Sequence, residues 1–281
     1  MSAKKYGKEI RAFIRDAELG AAEAALALGE RFRLGDGVDQ DLGAARHCYG
    51  VSARLGDPEG QNNLATMLLN GLGGKADPKA AARWYRAAAE QGQAVAQFNL
   101  AQRYLHGNGA EQDDILAAQW LMRSAEQGYI EAIGELGTLF RFGRGVEADL
   151  LMAAELHIAA AQAGDGCAHG NLADYQDELE TLALDGSREA ASCLSQMADW
   201  GLGRDKDPAQ CWAWLTWAHD SGPASAAGED EEGDGVDEAL SFFKSVQPKA
   251  VRAAGEAWLA ERVARHRGAS GRPGLSVAGA R

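Results

Sequence analysis

The chain has 281 residues, 46% hydrophobic and 25% charged, the balance of a folded soluble protein rather than a disordered one. Lys+Arg 28 against Asp+Glu 41 gives a formal net charge of −13, a field that repels phosphate backbones and anionic lipid, so nucleic acid and membrane are excluded as general partners. Cys48, Cys167, Cys193 and Cys211 include no Cys-x-x-Cys pair, which argues against a disulfide framework or a zinc knuckle and for reduced, buried thiols.

Residues 1–20 read as an amphipathic capping helix with Phe13 on its core side. Charges every few residues leave no room for the apolar stretch of about 7–15 residues that a signal peptide needs, so a cytoplasmic location is expected. No apolar run approaches the roughly 18 residues of a membrane span.

From residue 21 to 222 the chain repeats. Glycines recur every 36 residues at Gly20, Gly56, Gly92, Gly128 and Gly164. Taking each as offset zero, offset 15 holds Gly35, Gly71, Gly107 and Gly143, offset 17 holds Gly37, Gly73, Gly109 and Gly145, and offset 21 holds Asp41, Asp77, Asp113 and Asp149. A fixed period of this kind marks a stacked array of two-helix units. In the first helix of each unit, helix A, small residues at offset 4 and leucine at offset 8 (Leu28, Leu64, Leu100, Leu136, Leu172, Leu194) form one buried stripe with a large residue at offset 12. The offset-21 aspartate suits the N-cap of the second helix, helix B, with Pro78 and Pro208 at the tolerated first position. Helix B carries small residues at offset 25 and bulky ones at offsets 28 and 29, such as Trp84-Tyr85 and Trp214-Leu215. The glycines then read as helix ends and turns, not as a nucleotide loop.

The period breaks between Gly164 and Gly186, only 22 residues apart, and predicts a shortened or irregular pair over 165–186 before it resumes through Gly201, Gly203 and Asp207. Residues 223–235 read as an acidic loop, 236–266 as two C-terminal capping helices that dock through Leu240, Phe243, Trp258 and Leu259, and 267–281 as a flexible tail.

Residues for catalysis are hard to assemble. The six histidines fall at different offsets, so stacking does not gather them, and there is no His-x-x-x-His or Gly-x-Ser-x-Gly. Cys167-x-His169 is the nearest approach to a metal or nucleophile pair and reads as ordinary helix. Asp230, Glu232, Asp234 and Gly235 fit the opening of a calcium loop, but the position of its bidentate glutamate is Ser241, so the run from Glu229 to Glu238 is a solvated loop or a docking strip for a basic partner. No cofactor and no metal is expected. Trp214 and Trp217 are expected to pack, whereas Trp200 and Trp212 are expected to form an exposed aromatic anchor for a partner.

The order Leu-Gly/Ala, aromatic, Gly-x-Gly, Asp-x-x-x-Ala, Trp-Tyr, Ala-Ala, Gly, as in Asn99-Leu100-Ala101 through Gly109 and Ala80 through Trp84-Tyr85 to Gly92, resembles the Sel-one-like repeat family, a relative of the tetratricopeptide repeats, over roughly residues 5 to 222. The resemblance implies an all-α, right-handed superhelical solenoid of antiparallel helix pairs that binds protein or peptide as a non-catalytic scaffold or adaptor, with helix A lining the concave surface. A dedicated chaperone or toxin inhibitor would use the same groove. It also implies an alternative, since secreted cysteine-rich members bridged between helices A and B are linked to peptidoglycan and β-lactam hydrolysis; here only Cys193 and Cys211 are so placed. On helix A, offset 7 holds Asn63, Asn99, Glu135 and Asn171, one residue off the core stripe and flanked by Thr66, Gln102 and Arg103. These amides either form a polar ladder for an extended peptide or bond the neighbouring helices.

Overall fold

The computed structural model describes residues 7–221 and 235–270. The expected acidic loop, apart from Gly235, and the expected tail from 271 onward lie outside those residues. Among the described residues every regular element is an α-helix. The chain divides into two compact units, Met1–Ala148 and Asp149–Arg281.

The first unit holds α1 (Lys8–Glu18), α2 (Ala22–Leu34), α3 (Leu42–Arg54), α4 (Pro58–Asn70), α5 (Pro78–Glu90), α6 (Ala94–His106), α7 (Asp114–Ala125) and α8 (Ile130–Phe142), each packed on the next. The even-numbered helices are helix A and the odd ones from α3 are helix B. Each helix A ends at a left-handed glycine (Gly35, Gly71, Gly107, Gly143) whose N–H returns to the carbonyl four residues back. Each helix B starts at the expected aspartate: the Asp41, Asp77 and Asp113 carboxylates each accept from the N–H three residues on, at 2.9 Å. The same aspartates donate their backbone N–H to the offset-12 carbonyls of Phe32, Leu68 and Tyr104, which closes helix A onto helix B.

Between the helices Leu28, Leu64, Leu100 and Leu136 are buried, as are Ala45, Ala81 and Ala117 of offset 25 and Tyr49, Tyr85 and Leu121 of offset 29. Each such leucine contributes about 1.5–3 kcal/mol by leaving water. The tryptophans at offset 28, Trp84 and Trp120, are only half-buried, so offset 29 carries the seam in this unit. The α1 core is Ile10 and Ile14; Phe13, expected there, is half-buried with the Arg31 guanidinium 5.3 Å from its ring centre.

Neighbouring pairs interlock through two devices. Gln61 donates to the Ala53 carbonyl of the preceding helix B and accepts from Gln91 of its own pair at 2.8 Å; Gln97, Ala89 and Gln127 repeat the arrangement. From the second Gly-x-Gly turn onward, its second glycine seats on the start of the preceding helix B: a Cβ on Gly73, Gly109 or Gly145 would lie 2.1, 2.1 or 2.0 Å from the carbonyl oxygens of Leu42, Pro78 and Asp114. Only glycine permits that approach. At the last of these contacts Arg144 also holds Asp114 with two hydrogen bonds, at 2.9 and 3.2 Å.

The second unit holds α9 (Leu150–Gln162), α10 (Gly166–Asp174), α11 (Gln176–Leu184), α12 (Arg188–Trp200), α13 (Pro208–Ser221), α14 (Gly235–Val246) and α15 (Lys249–Ser270). Residues 165–186 form the short α10–α11 pair, with Tyr175 between the helices instead of a glycine turn. Ile158, Leu172, Leu179, Leu194, Met197 and Trp214 make the core, and Trp258 of α15 packs edge-on against Trp214 at 5.6 Å. The Trp217 indole donates to the Ala183 carbonyl. Buried Glu180 on α11 is held by Arg262 of α15 at 2.9 Å and by Arg204 at 3.7 Å. Helix α15 continues to Ser270, past the expected start of the tail at 267.

Cys193 and Cys211 are free and buried on α12 and α13, and burial pushes both thiols up to about 12. They are protonated at neutral pH and poor nucleophiles.

Two outcomes are expected. Gly92 and Gly109 both have positive φ, but only Gly109 has a carbonyl where a Cβ would go. Gly92→Ala should therefore lose about 1–2 kcal/mol from conformation alone, while Gly109→Ala should melt well below it in parallel thermal scans. In a thiol titration at pH 8, exposed Cys167 should react in the native protein, and Cys193 and Cys211 only after denaturant.

Candidate functional site

Helix A places all the predicted partner-binding residues but Trp212, which lies on helix B, and the structure sorts them into three groups. In the first unit Asn63 and Asn99 are half-buried members of one hydrogen-bond chain across three helices. The Asn99 amide donates to Asn62 Oδ1 at 3.0 Å, Asn62 donates to Asn63 Oδ1 at 3.4 Å, and Asn63 donates to Glu30 Oε1 at 3.3 Å. Tyr49 donates to the same Glu30 oxygen at 2.5 Å, and Arg33 holds the other. Burial pushes the Glu30 carboxyl up, but the hydrogen bonds from Arg33 and Tyr49 outweigh it and hold the group below its usual range. Of the two readings of the offset-7 amides, these contacts match bonding between neighbouring helices. Asn62 and Glu30, at offsets 6 and 10, complete the chain and break the single-column rule that picked out the others.

Thr66, Gln102 and Arg103 lie beside this chain. The Thr66 hydroxyl pairs with Tyr85 at 2.9 Å and donates to the Asn62 carbonyl, and Gln102 bonds His106 at 3.0 Å. Arg103 donates to the Asn99 carbonyl at 3.4 Å and forms no ion pair with a described residue. Burial pushes its guanidinium below the usual range, an effect partly offset by nearby Tyr85. A half-buried cation among amides, with no carboxylate of its own, is suited to receive one. Glu135 on α8 is half-buried, and its charge adds to the pairing with Asp114 that raises the Arg144 guanidinium.

In the second unit Asn171 lies 3.0 Å from Nε2 of buried His157, whose Nδ1 is 2.5 Å from the Tyr175 hydroxyl. This is an internal bond, like those of the first unit. The two tryptophans part company. Trp200, the last residue of α12, is 52% exposed, whereas Trp212 is only 6% exposed and is no exposed anchor: α15 returns across α13, setting Arg252 5.4 Å from the Trp212 ring and Glu256 3.4 Å from its indole nitrogen. Trp200 falls at offset 14 of its repeat, and the same offset in the first unit holds Leu34, 62% exposed, and Phe142, 69% exposed. Sequence reasoning passed over that column, although its apolar members precede the turn glycine in each case.

Reactive groups do not converge. His169 accepts the Gly203 N–H at 3.0 Å while Cys167 is exposed, so the Cys167-x-His169 pair is divided between a backbone bond and solvent. Among the described residues no group of three or more His, Cys, Asp or Glu side chains is placed to hold a metal, and no helix is long and apolar enough to cross a membrane.

The Sel1 repeat profile matches residues 22–57, 58–93, 94–129, 130–165 and 189–218. A Sel1 repeat protein of Oxalobacter formigenes has a similar structure, with a TM-score of 0.54 and 26% identity over 82% of this chain and 68% of that one. So does c5321, a protective antigen of uropathogenic Escherichia coli strains described as displaying an SLR fold, with a TM-score of 0.57 and 25% identity over 92% of this chain and 65% of that one. No functionally curated protein matches the chain. Five repeat matches cover more than half the sequence and coincide with the helix pairs built from its glycine, aspartate and leucine columns, and the chain belongs to the Sel1 repeat family.

Proposed function

We propose that the protein is a non-catalytic, cytoplasmic scaffold or adaptor that binds a protein or peptide along its helix A face. Sel1 repeat proteins generally act as protein-interaction scaffolds, which supports the class of function. The observation that carries the reading to this face is Arg103, half-buried next to Asn99 and Thr66 with no ion-pair partner among the described residues. An arginine so placed has already lost part of its hydration, so a carboxylate from a bound polypeptide gains more from it than from a fully solvated side chain. The amide chain from Asn99 to Glu30 fixes the side chains around it, a preorganisation that lowers the ordering cost of binding. The free, buried thiols of Cys193 and Cys211 agree with a reducing compartment rather than with the bridged hydrolase alternative.

A photo-crosslinking amino acid at Gln102 should capture a polypeptide in cells, and adding Arg103→Ala should cut the yield by roughly tenfold, the equivalent of one lost charge-assisted contact. Melting of the variant should stay within about 1 kcal/mol of the parent. No captured polypeptide, or a yield that Arg103→Ala leaves unchanged, would remove the assignment to this face.

A further inference from the structure

On α3, α5 and α7 the first unit carries six cations, Arg46, Arg54, Lys79, Arg83, Arg86 and Arg123, against Glu90 and Asp114 within the helices; the carboxylates of Asp41, Asp77 and Asp113 are engaged in capping their N-termini, and Glu126 closes α7. Asp114 is already paired with Arg144. None of the six cations forms an ion pair with a described residue. Three make neutral contacts: Arg46 donates to the Lys75 carbonyl at 3.0 Å, Arg86 to the Tyr104 hydroxyl at 2.7 Å, and Arg123 lies 4.6 Å from the Trp120 ring centre. All but Arg46, which is half-buried, are exposed. In a chain of net charge −13, unpaired cations gathered on three consecutive helix B elements run against the composition.

The surface between them is also shaped. Arg46 and Arg54 stand over a groove of about 410 Å³ whose floor includes Leu64, Leu68, Ala80 and Trp84. On the other side of α5, Lys79, Arg83 and Arg86 line a second hollow of about 500 Å³ with Tyr104, Leu116 and the carboxylates of Glu111 and Asp113. Cationic rims over apolar floors fit a ligand that carries both carboxylates and an apolar side chain.

We propose that the helix B face of the first unit docks an acidic segment of a partner protein, its carboxylates on the arginines of α3 and α5 and one apolar side chain in the groove beside Trp84. This face is separate from the helix A strip, so one scaffold holds two partners at once. Charge complementarity favours a short acidic peptide over nucleic acid. The net negative field of the chain opposes a long polyanion, whereas at physiological salt a short segment senses only charges within about 8 Å. A phosphate backbone also presents no apolar side chain for the floor at Trp84.

The test uses the full chain and a fluorescein-labelled peptide of glutamates around a central leucine, with a lysine-for-glutamate peptide as control, followed by anisotropy. The acidic peptide should bind, weaken as salt is raised, and lose roughly tenfold or more in affinity with Arg54→Glu and Arg83→Glu combined. Both positions are exposed, so thermal melting should show the double variant folded. Replacing the leucine by serine should weaken binding at constant charge, and Arg103→Ala should leave it intact. Equal binding of the two peptides, undiminished binding by the folded double variant, tighter binding of single-stranded polyuridine, or occupation of the face by a second copy in sedimentation would each overturn the proposal.

Discussion

The structure of the first unit depends on one constraint: from α4 onward, the turn that follows each helix A lies directly on the beginning of the preceding helix B. Gly73, Gly109 and Gly145 meet the carbonyls of Leu42, Pro78 and Asp114 at distances no other side chain permits. That contact sets how closely consecutive pairs approach. Close approach in turn buries the leucine of offset 8 and the alanine of offset 25, and lets Gln61 and Gln97 reach the backbone of the preceding pair. An isolated pair has neither the carbonyl to seat on nor a second surface to cover its own.

The separation of roles between the two helices follows from this packing. Helix A contributes the amides and Arg103, helix B the arginines and half-buried tryptophans. Buried polar groups on helix A are connected to one another, which fixes their positions at little cost because few hydrogen bonds are left unmade. Helix B instead leaves its cations without ion pairs, a state that water stabilises and an acidic ligand exploits.

Much of the architecture was legible because a repeat writes the same physical demand several times. The aspartates of offset 21 cap helix B as expected, and the leucines of offset 8 are buried in every repeat, the irregular one included. What escaped sequence reasoning lies off the columns or depends on long-range return of the chain. Trp212 was expected at the surface from its position beside Trp214, but α15, some forty residues later, covers it, and no local pattern encodes that crossing. The amide chain uses Asn62 and Glu30, which sit at different offsets, so a column search finds only Asn63 and Asn99. The positive helix B face is hidden in the whole-chain charge of −13 and appears only when charges are counted helix by helix.

Removal of one complete period, residues 94–129, tests the seam most directly, because it joins Gln93 to Ile130 and leaves every offset in register. Circular dichroism of the shortened chain should show the helix content expected for its length and a cooperative thermal transition, with Gly145 taking the seat on Pro78 that Gly109 held. A shortened chain that loses its helices or melts without cooperativity would contradict a stack built from nearest-neighbour contacts.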